Sequence, residues 1–123
     1  MIESFREFQA GPDPFGRNWR ATFVWLQTAI SIRHCDAIDV KFIVDDGEYK
    51  DEKVIALPHP KLLELSEKVK HPLNDAWVSK LAAHHLKKMI ETGEDMEKPL
   101  VTMTSPDLAA AHAELEKNRY ANV

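Results

Sequence analysis

Residues 19–32 contain neither glycine nor proline, and their alternating pattern predicts one long β-strand. Both faces of this strand are apolar. The first face would carry Trp19, Ala21, Phe23, Trp25 and Ala29, and the second would carry Val24, Leu26, Ile30 and Ile32. Because an exposed apolar face is costly, we expect helices of this chain on one face and a second subunit or partner on the other. We also expect this strand to lie at the centre of the sheet.

A β-hairpin is predicted after this strand. Residues 38–44 alternate strictly, residues 45–47 (Asp-Asp-Gly) can form a tight turn, and residues 49–57 return as a third strand. A two-residue loop would place Phe42 opposite Asp51, whereas a three-residue loop would place it opposite Lys50. The sequence leaves both registers open. The charged residues 50–53 predict a solvated sheet edge.

From Pro58 onward the apolar spacing changes to the 3.6-residue period of helices. The predicted elements are a helix from Pro60, a helix over residues 75–92, a short strand over residues 100–104 and a helix over residues 106–119. Asn74 is the expected cap of the second helix and Gly93 its expected end, while Ser105 is the expected cap of the last helix.

This order of elements predicts an α+β fold. A mostly antiparallel sheet, made of a three-stranded meander plus a short fourth strand, would carry two or three helices on one face. The expected arrangement is a single domain. Its parts would be an N-terminal arm and loop (1–16) docked by Ile2, Phe5 and Phe8, a β-meander (17–58), a helical pair (59–93), and a connector, short strand and last helix (94–123).

The composition narrows the classes of partner. The chain has 123 residues and a formal net charge of −4, with both signs interspersed, so we expect no nucleic-acid partner. A single cysteine favours a reducing compartment. The first residues lack the pattern of a signal peptide, and no stretch is apolar enough for a membrane span. These features predict a cytoplasmic protein that does not bind a membrane.

Candidate chemistry is sparse. The densest polar cluster, Arg33-His34-Cys35, could hold a reactive thiol, but neighbours in an extended segment point to opposite sides, which favours a turn with a passively packed cysteine. The six histidines show no metal-binding spacing, and there is no glycine-rich phosphate loop, so we predict neither a metal nor a cofactor.

His85 projects between Leu81 and Met89 on the buried side of the second predicted helix, whereas His84 lies at its margin near Trp77. A histidine on an apolar face is usually a neutral core residue, and alternatively a general base with a shifted pKa.

We therefore expect a non-enzymatic binding or interaction module, forming a homodimer or binding a protein partner through Trp19, Phe23 and Trp25 together with the peripheral last helix. The alternative is a small-molecule-binding protein or enzyme with a pocket between sheet and helices, using His85 and the Arg33-His34-Cys35 segment. A third interpretation, a small regulatory or antitoxin-like protein, rests on fold analogy alone.

Overall fold

The structure is a computed structural model that describes residues 5–29 and 36–121. Those residues form an α+β fold, as predicted. The elements are β1 (Glu7–Ala10), β2 (Trp19–Ala29), β3 (Ala37–Asp45), β4 (Lys50–Pro58), α1 (His59–Val69), α2 (Asp75–Thr92), β5 (Leu100–Thr102) and α3 (Ser105–Ala121). The strands lie in the order β1-β2-β3-β4-β5, with the first four antiparallel and β5 parallel to β4.

The N-terminal arm is a strand, which the sequence analysis missed. Residues 7–10 pair with residues 19–22 of β2, and Phe8 and Ala10 turn into the core while Glu7 and Gln9 face solvent. Phe5 packs against the core, as expected for the arm, and Ile2 lies outside the described residues. Because β1 covers the outer edge of β2, the centre of the sheet is β3, and the prediction of a central β2 was wrong.

Neither predicted hairpin register is correct. Asp45 pairs with Lys50, and Phe42 lies opposite Lys53. The loop is two residues longer than the predicted two-residue loop, because the Asp46 side chain stabilises it. The Oδ1 atom of Asp46 accepts the backbone N–H groups of Glu48 (2.9 Å) and Tyr49 (2.7 Å).

The charged half of β4 is an edge, but not a fully solvated one. Strand β5 pairs only with residues 54–56, so residues 50–53 have no strand on their outer side. Lys53, however, is only 2% exposed. Its amino group donates to the carbonyl oxygens of Met96 and Lys98 in the α2–β5 connector, which closes over it.

The helices follow their sequence signals closely. Helix α2 spans the predicted residues, with the Asn74 side chain accepting the backbone N–H of Trp77 (2.9 Å) and Gly93 in the left-handed region (φ 74°) at its end. Helix α1 begins one residue before Pro60. The cap of α3 is not Ser105: Thr104 Oγ1 accepts the Asp107 N–H (3.2 Å), and the Asp107 carboxylate accepts the Thr104 N–H (3.0 Å).

One face of the sheet and the inner faces of the helices form a shared core, with α2 lying across β1 to β4 and α3 packing on α1 and α2. The alternation of buried positions in β1 and β3 shows that the opposite sheet face contributes nothing to this core. Leu108 and Ala111 of α3 are buried and Leu115 is partly buried, so this helix contributes only a narrow apolar stripe to the core.

A β-bulge in β2 divides the aromatic residues between the two faces. Phe23 pairs with Phe42, but Trp25 pairs with Lys41, so Val24 is an extra residue in the strand. Beyond the bulge the alternation is inverted, and Leu26 returns to the helix-covered face opposite Val40. The prediction that Trp25 shares a face with Trp19 and Phe23 was therefore wrong.

Candidate functional site

Trp19 and Phe23, two of the predicted site residues, pack on the helix-covered side of the sheet. Trp19 is 6% exposed, and its indole N–H donates to Asp13 Oδ2 (3.0 Å), which ties the loop before β2 to the sheet. The ring of Phe23 is partly buried and lies edge-on to Phe5 (5.4 Å between centroids) and Phe42 (6.1 Å). The predicted role of these two side chains in binding stays a prediction.

The Arg33-His34-Cys35 segment lies outside the described residues, so its predicted reactive or packed cysteine stays a prediction. Trp25 and His85 are the other two described candidates, and they lie on different sides of the molecule. Trp25 belongs to the uncovered face of the sheet, whereas His85 lies on α2, which packs on the other face.

The sheet face that no described helix covers, called the open face below, carries a row of paired residues across four strands. Trp25 of β2 pairs with Lys41, Lys41 pairs with Val54, and Val54 pairs with Leu100 of β5. The Lys41 ammonium lies 5.8 Å from the centroid of the Trp25 ring. Ile43 lies on the same face one alternation further along β3. The apolar residues of the open face are thus Trp25, Ile43, Val54 and Leu100.

Charged residues of both signs border these apolar side chains. Lys41 Nζ lies 3.0 Å from Glu52 Oε2 on the neighbouring strand. Asp39, opposite Gln27, has its pKa raised by burial. The open face is therefore a mixed surface, in which Lys41 lies among the apolar side chains and acidic residues border them.

A second candidate site is a cavity of about 420 Å³ between α2 and α3, called the α2–α3 cleft below. Its position differs from the predicted pocket, which was expected between the sheet and the helices. The residues that matter most for its chemistry are His84, His85 and Lys88 on α2, and Asp107, Ala111 and Glu114 on α3.

Both histidines of the cleft are buried. His84 is 8% exposed and His85 7%, so the prediction that His84 lies at the helix margin was wrong, while the buried position of His85 is confirmed. The pKa of each is lowered, primarily by burial. Glu114 opposes this shift for His84 and Asp107 opposes it for His85. Both imidazoles are consequently neutral near pH 7.

The Nε2 atom of His85 is enclosed and has no hydrogen-bond partner among the described residues. Buried polar atoms nearly always have one, which makes this nitrogen an unusual part of the cleft wall. Its carboxylate neighbour Asp107 has a lowered pKa; burial acts against that shift, and the hydrogen bonds from Thr104 outweigh it. Asp107 is therefore ionised in the cleft.

The contribution of α3 to this cleft was not predicted from the sequence. Asp107, Ala111 and Glu114 lie at spacings of four and three residues, which places them on one helical face. That spacing could have suggested a polar groove beside an apolar stripe. The pairing of this face with His84 and His85, in contrast, depends on how α3 packs on α2.

An aromatic cluster lies between α2, the α1–α2 loop and α3. His71 stacks on Trp77 (4.8 Å between centroids), and His112 meets Trp77 edge-on (6.3 Å). Trp77 Nε1 and His112 Nδ1 are buried without a hydrogen-bond partner in the described part of the chain. Trp77 is 3% exposed, so this cluster belongs to the packing between helices.

Among residues 5–29 and 36–121, no group of three or more histidine, cysteine, aspartate or glutamate side chains is arranged to hold a metal ion. No helix in the same residues has the length and apolar character needed to cross a membrane. Comparison of the chain with protein-family models, curated protein sequences and solved structures gave no match.

Proposed function

We propose that this protein is a non-enzymatic interaction module that forms a homodimer through the open face of its sheet. The observation that carries the proposal is the row Trp25, Val54 and Leu100, with Ile43 beside it, on a face that no described helix covers. Lys41 lies between Trp25 and Val54 in this row, and a mixture of apolar and polar side chains is typical of non-obligate protein–protein contact surfaces. The single cysteine supports a reducing compartment, and we propose the cytoplasm.

The size of the open face allows a specific but weak contact. The nine residues of β3 extend for about 30 Å, and five strands span about 19 Å. Because β1 and β5 are short, the face presents about 500 Å² per copy, and two copies would bury about 1,000 Å² together. That area is at the lower limit of specific interfaces.

The charge distribution favours a second copy over a partner of one charge sign. In a two-fold dimer the same patch meets itself, so each basic group of the patch needs an acidic group within the same patch. The open face supplies both: Lys41 lies between Trp25 and the acidic residues Asp39 and Glu52. A strongly acidic or basic partner would leave one of these signs opposed by a like charge.

Sedimentation velocity of the wild-type chain and of Trp25→Glu and Leu100→Glu tests the proposal. We expect a wild-type dimer, and a monomer for each variant, because a carboxylate in the centre of the interface must lose its hydration. Both variants should fold. A carboxylate at position 25 would lie opposite Lys41, which is a favourable cross-strand pair, and Leu100 is 51% exposed.

Phe15→Glu is the matched control. Phe15 is 83% exposed, but it lies in the loop before β2 and not on the open face. This variant should remain dimeric. The proposal is refuted if the wild-type chain is monomeric, including the case where it binds a different protein as a monomer, or if Trp25→Glu and Leu100→Glu remain dimeric while keeping the wild-type circular dichroism spectrum.

A further inference from the structure

Asp39 of β3 is an acidic residue of the open face that has no ion-pair partner among the described residues. Its neighbours across the sheet are Gln27 on β2 and Ala56 on β4, neither of which carries a charge. Burial raises the pKa of its carboxyl group, and no positive charge opposes that shift. A partly buried carboxylate without a cation is costly, so Asp39 is an unsatisfied charge in the single chain.

Lys41 lies two residues further along β3 on the same face, and it can bind a second carboxylate. Its Nζ atom lies 3.0 Å from Oε2 of Glu52. An ammonium group has three N–H donors, so one carboxylate leaves donors available. The Lys41 side chain is 21% exposed, and Glu52, which is 63% exposed, stays in water. A carboxylate that approaches from outside the sheet can therefore bind Lys41 without displacing Glu52.

Two neighbouring cross-strand rows of the open face decide how a second copy can lie on it. The Lys41 row is Trp25, Lys41, Val54 and Leu100, and the Asp39 row is Gln27, Asp39, Ala56 and Thr102. When two sheet faces meet, the two-fold axis lies between them. An axis parallel to the strands places each row over the same row of the partner subunit. The Asp39 row contains no basic residue, so this arrangement buries the carboxylate without a counter-charge.

An axis across the strands gives a different result. It places each strand over the same strand of the partner subunit in the reverse direction, so Asp39 faces a residue of β3. The open-face residues of β3 are Ala37, Asp39, Lys41, Ile43 and Asp45, of which Lys41 alone is basic. With the axis between residues 39 and 41, Asp39 lies over Lys41 of the partner subunit, and symmetry repeats this contact. The same register sets Ile43 against Ala37 of the partner subunit, which is an apolar contact.

We propose that the dimer is held in this antiparallel orientation by two equivalent ion pairs, each between Asp39 of one subunit and Lys41 of the partner subunit. The proposal rests on the dimer proposed above and specifies which residues meet in it. Each pair supplies the counter-charge that Asp39 lacks in the single chain. The two pairs therefore select one orientation of the subunits, because charge complementarity determines register and partner choice at interfaces.

Exchanging the two charges tests this proposal. Asp39→Lys and Lys41→Asp each convert both attractive contacts into repulsive ones, so each variant should dimerise about 100-fold more weakly than the wild type. In an equimolar mixture the two variants should form a heterodimer, because each contact then joins a lysine to an aspartate. Sedimentation velocity measures the dimerisation, and native mass spectrometry identifies the heterodimer. We expect its dissociation constant to lie within about tenfold of the wild-type value.

Lys50→Asp is the matched control, because it makes the same charge change as Lys41→Asp on the same sheet face. Lys50 lies opposite Asp45, four residues or about 13 Å beyond Lys41 along the sheet. In the proposed register, position 45 faces position 35 of the partner subunit, which precedes the start of β3 at Ala37. Lys50→Asp should therefore change the dimerisation by about twofold or less, since charges at this distance are screened by salt.

Two neutral variants keep the test decisive if a charge-exchanged chain loses the wild-type circular dichroism spectrum. Asp39→Asn and Lys41→Gln should each weaken the dimer by about tenfold, and the double variant should be weaker than the wild type by less than the product of the two single effects. Effects that simply multiply would refute a direct contact between the two side chains.

The outcomes separate the orientation from the dimer itself. A wild-type monomer would overturn the proposed dimer and the ion pairs together. If Trp25→Glu dissociates the dimer but Asp39→Lys and Lys41→Asp dimerise like the wild type, the dimer stands and the ion pairs are refuted. The ion pairs are also refuted if both charge variants are monomeric and their mixture forms no heterodimer, because the two residues would then lie in the interface without facing each other.

Discussion

Lys53 is a lysine enclosed on the helix-covered side of the sheet, and we predict that Lys53→Met destabilises the fold. The side chain is 2% exposed, and its Nζ donates to the carbonyl oxygens of Met96 and Lys98, the latter at 3.0 Å. The Asp51 carboxylate lies 3.4 Å away and is 40% exposed. Lys53 therefore joins β4 to the connector that follows α2.

The size of the effect follows from opposing contributions. Two hydrogen bonds from a charged donor contribute about 1.5–3 kcal/mol each, or about 3–6 kcal/mol together. Methionine is similar in length to lysine, so it keeps the apolar contacts of the buried side chain. Replacing lysine also removes the cost of keeping an ammonium group out of water. The freed carbonyls can partly bind water, because Lys98 is exposed. We expect a net loss of about 1–3 kcal/mol for Lys53→Met and about 3–5 kcal/mol for Lys53→Ala, which also leaves a cavity.

The loss in the free energy of unfolding is measured by urea unfolding, monitored by tryptophan fluorescence, with all variants at one protein concentration. Hydrogen exchange should show faster exchange in the connector of Lys53→Met. Lys98→Met is the control: its ammonium makes a surface ion pair with Asp95 at 3.1 Å, so its loss should change stability by about 0.5 kcal/mol or less. If Lys53→Met were as stable as the wild type, the hydrogen bonds to the connector would not compensate for burying the charge, and the reasoning would be refuted.

Two further predictions concern a glycine and the histidines. Gly93→Ala should lower the free energy of unfolding by about 2 kcal/mol or more, because φ is +74° and the new Cβ would lie 2.8 Å from Pro14 Cγ. The control Gly47→Ala, at φ +99° with open space around it, should lose about 1 kcal/mol. Equal losses of the two variants in thermal unfolding would contradict the role of Pro14. Because the pKa values of His84 and His85 are lowered in the folded protein, the unfolded chain takes up protons first as the pH falls. Stability should therefore be greatest above about pH 6.5 and should decrease below it, by at most about 1.4 kcal/mol per pH unit for each histidine. Urea unfolding across this range should show a shallower decrease for His85→Leu, and a pH-independent wild type would contradict the assignment.

Elements with local signals at both ends could be predicted from the sequence to within a residue. Helix α2 is the clearest case, since Asn74 and Gly93 act through hydrogen bonds and dihedral angles within their own turns. Strand β1 could not be recognised, because four residues carry too little alternation to separate a strand from an arm. The hairpin register was wrong because a side chain, that of Asp46, stabilises a longer loop than glycine alone requires.

The candidate sites show the same limit. The burial of His85 could be predicted from helical spacing within α2. Its neighbours Asp107 and Glu114 could not be assigned to it, because they lie more than twenty residues away along the chain and reach it only through the packing of α3 on α2. Periodicity shows which side of an element is buried, but it does not show which element covers that side.

The bulge at Val24 shows how one residue decides what each sheet face can do. With regular alternation, Trp25 would enter the core beside Phe23, and Leu26 would lie on the open face. The extra residue reverses both positions: Leu26 packs into the core opposite Val40, and the indole of Trp25 lies beside Lys41 on the open face. The large aromatic surface available to a second subunit thus depends on the bulge. Deleting Val24 would restore regular alternation and exchange the two side chains, so the proposed dimer requires an irregularity that the period-two pattern of the sequence conceals.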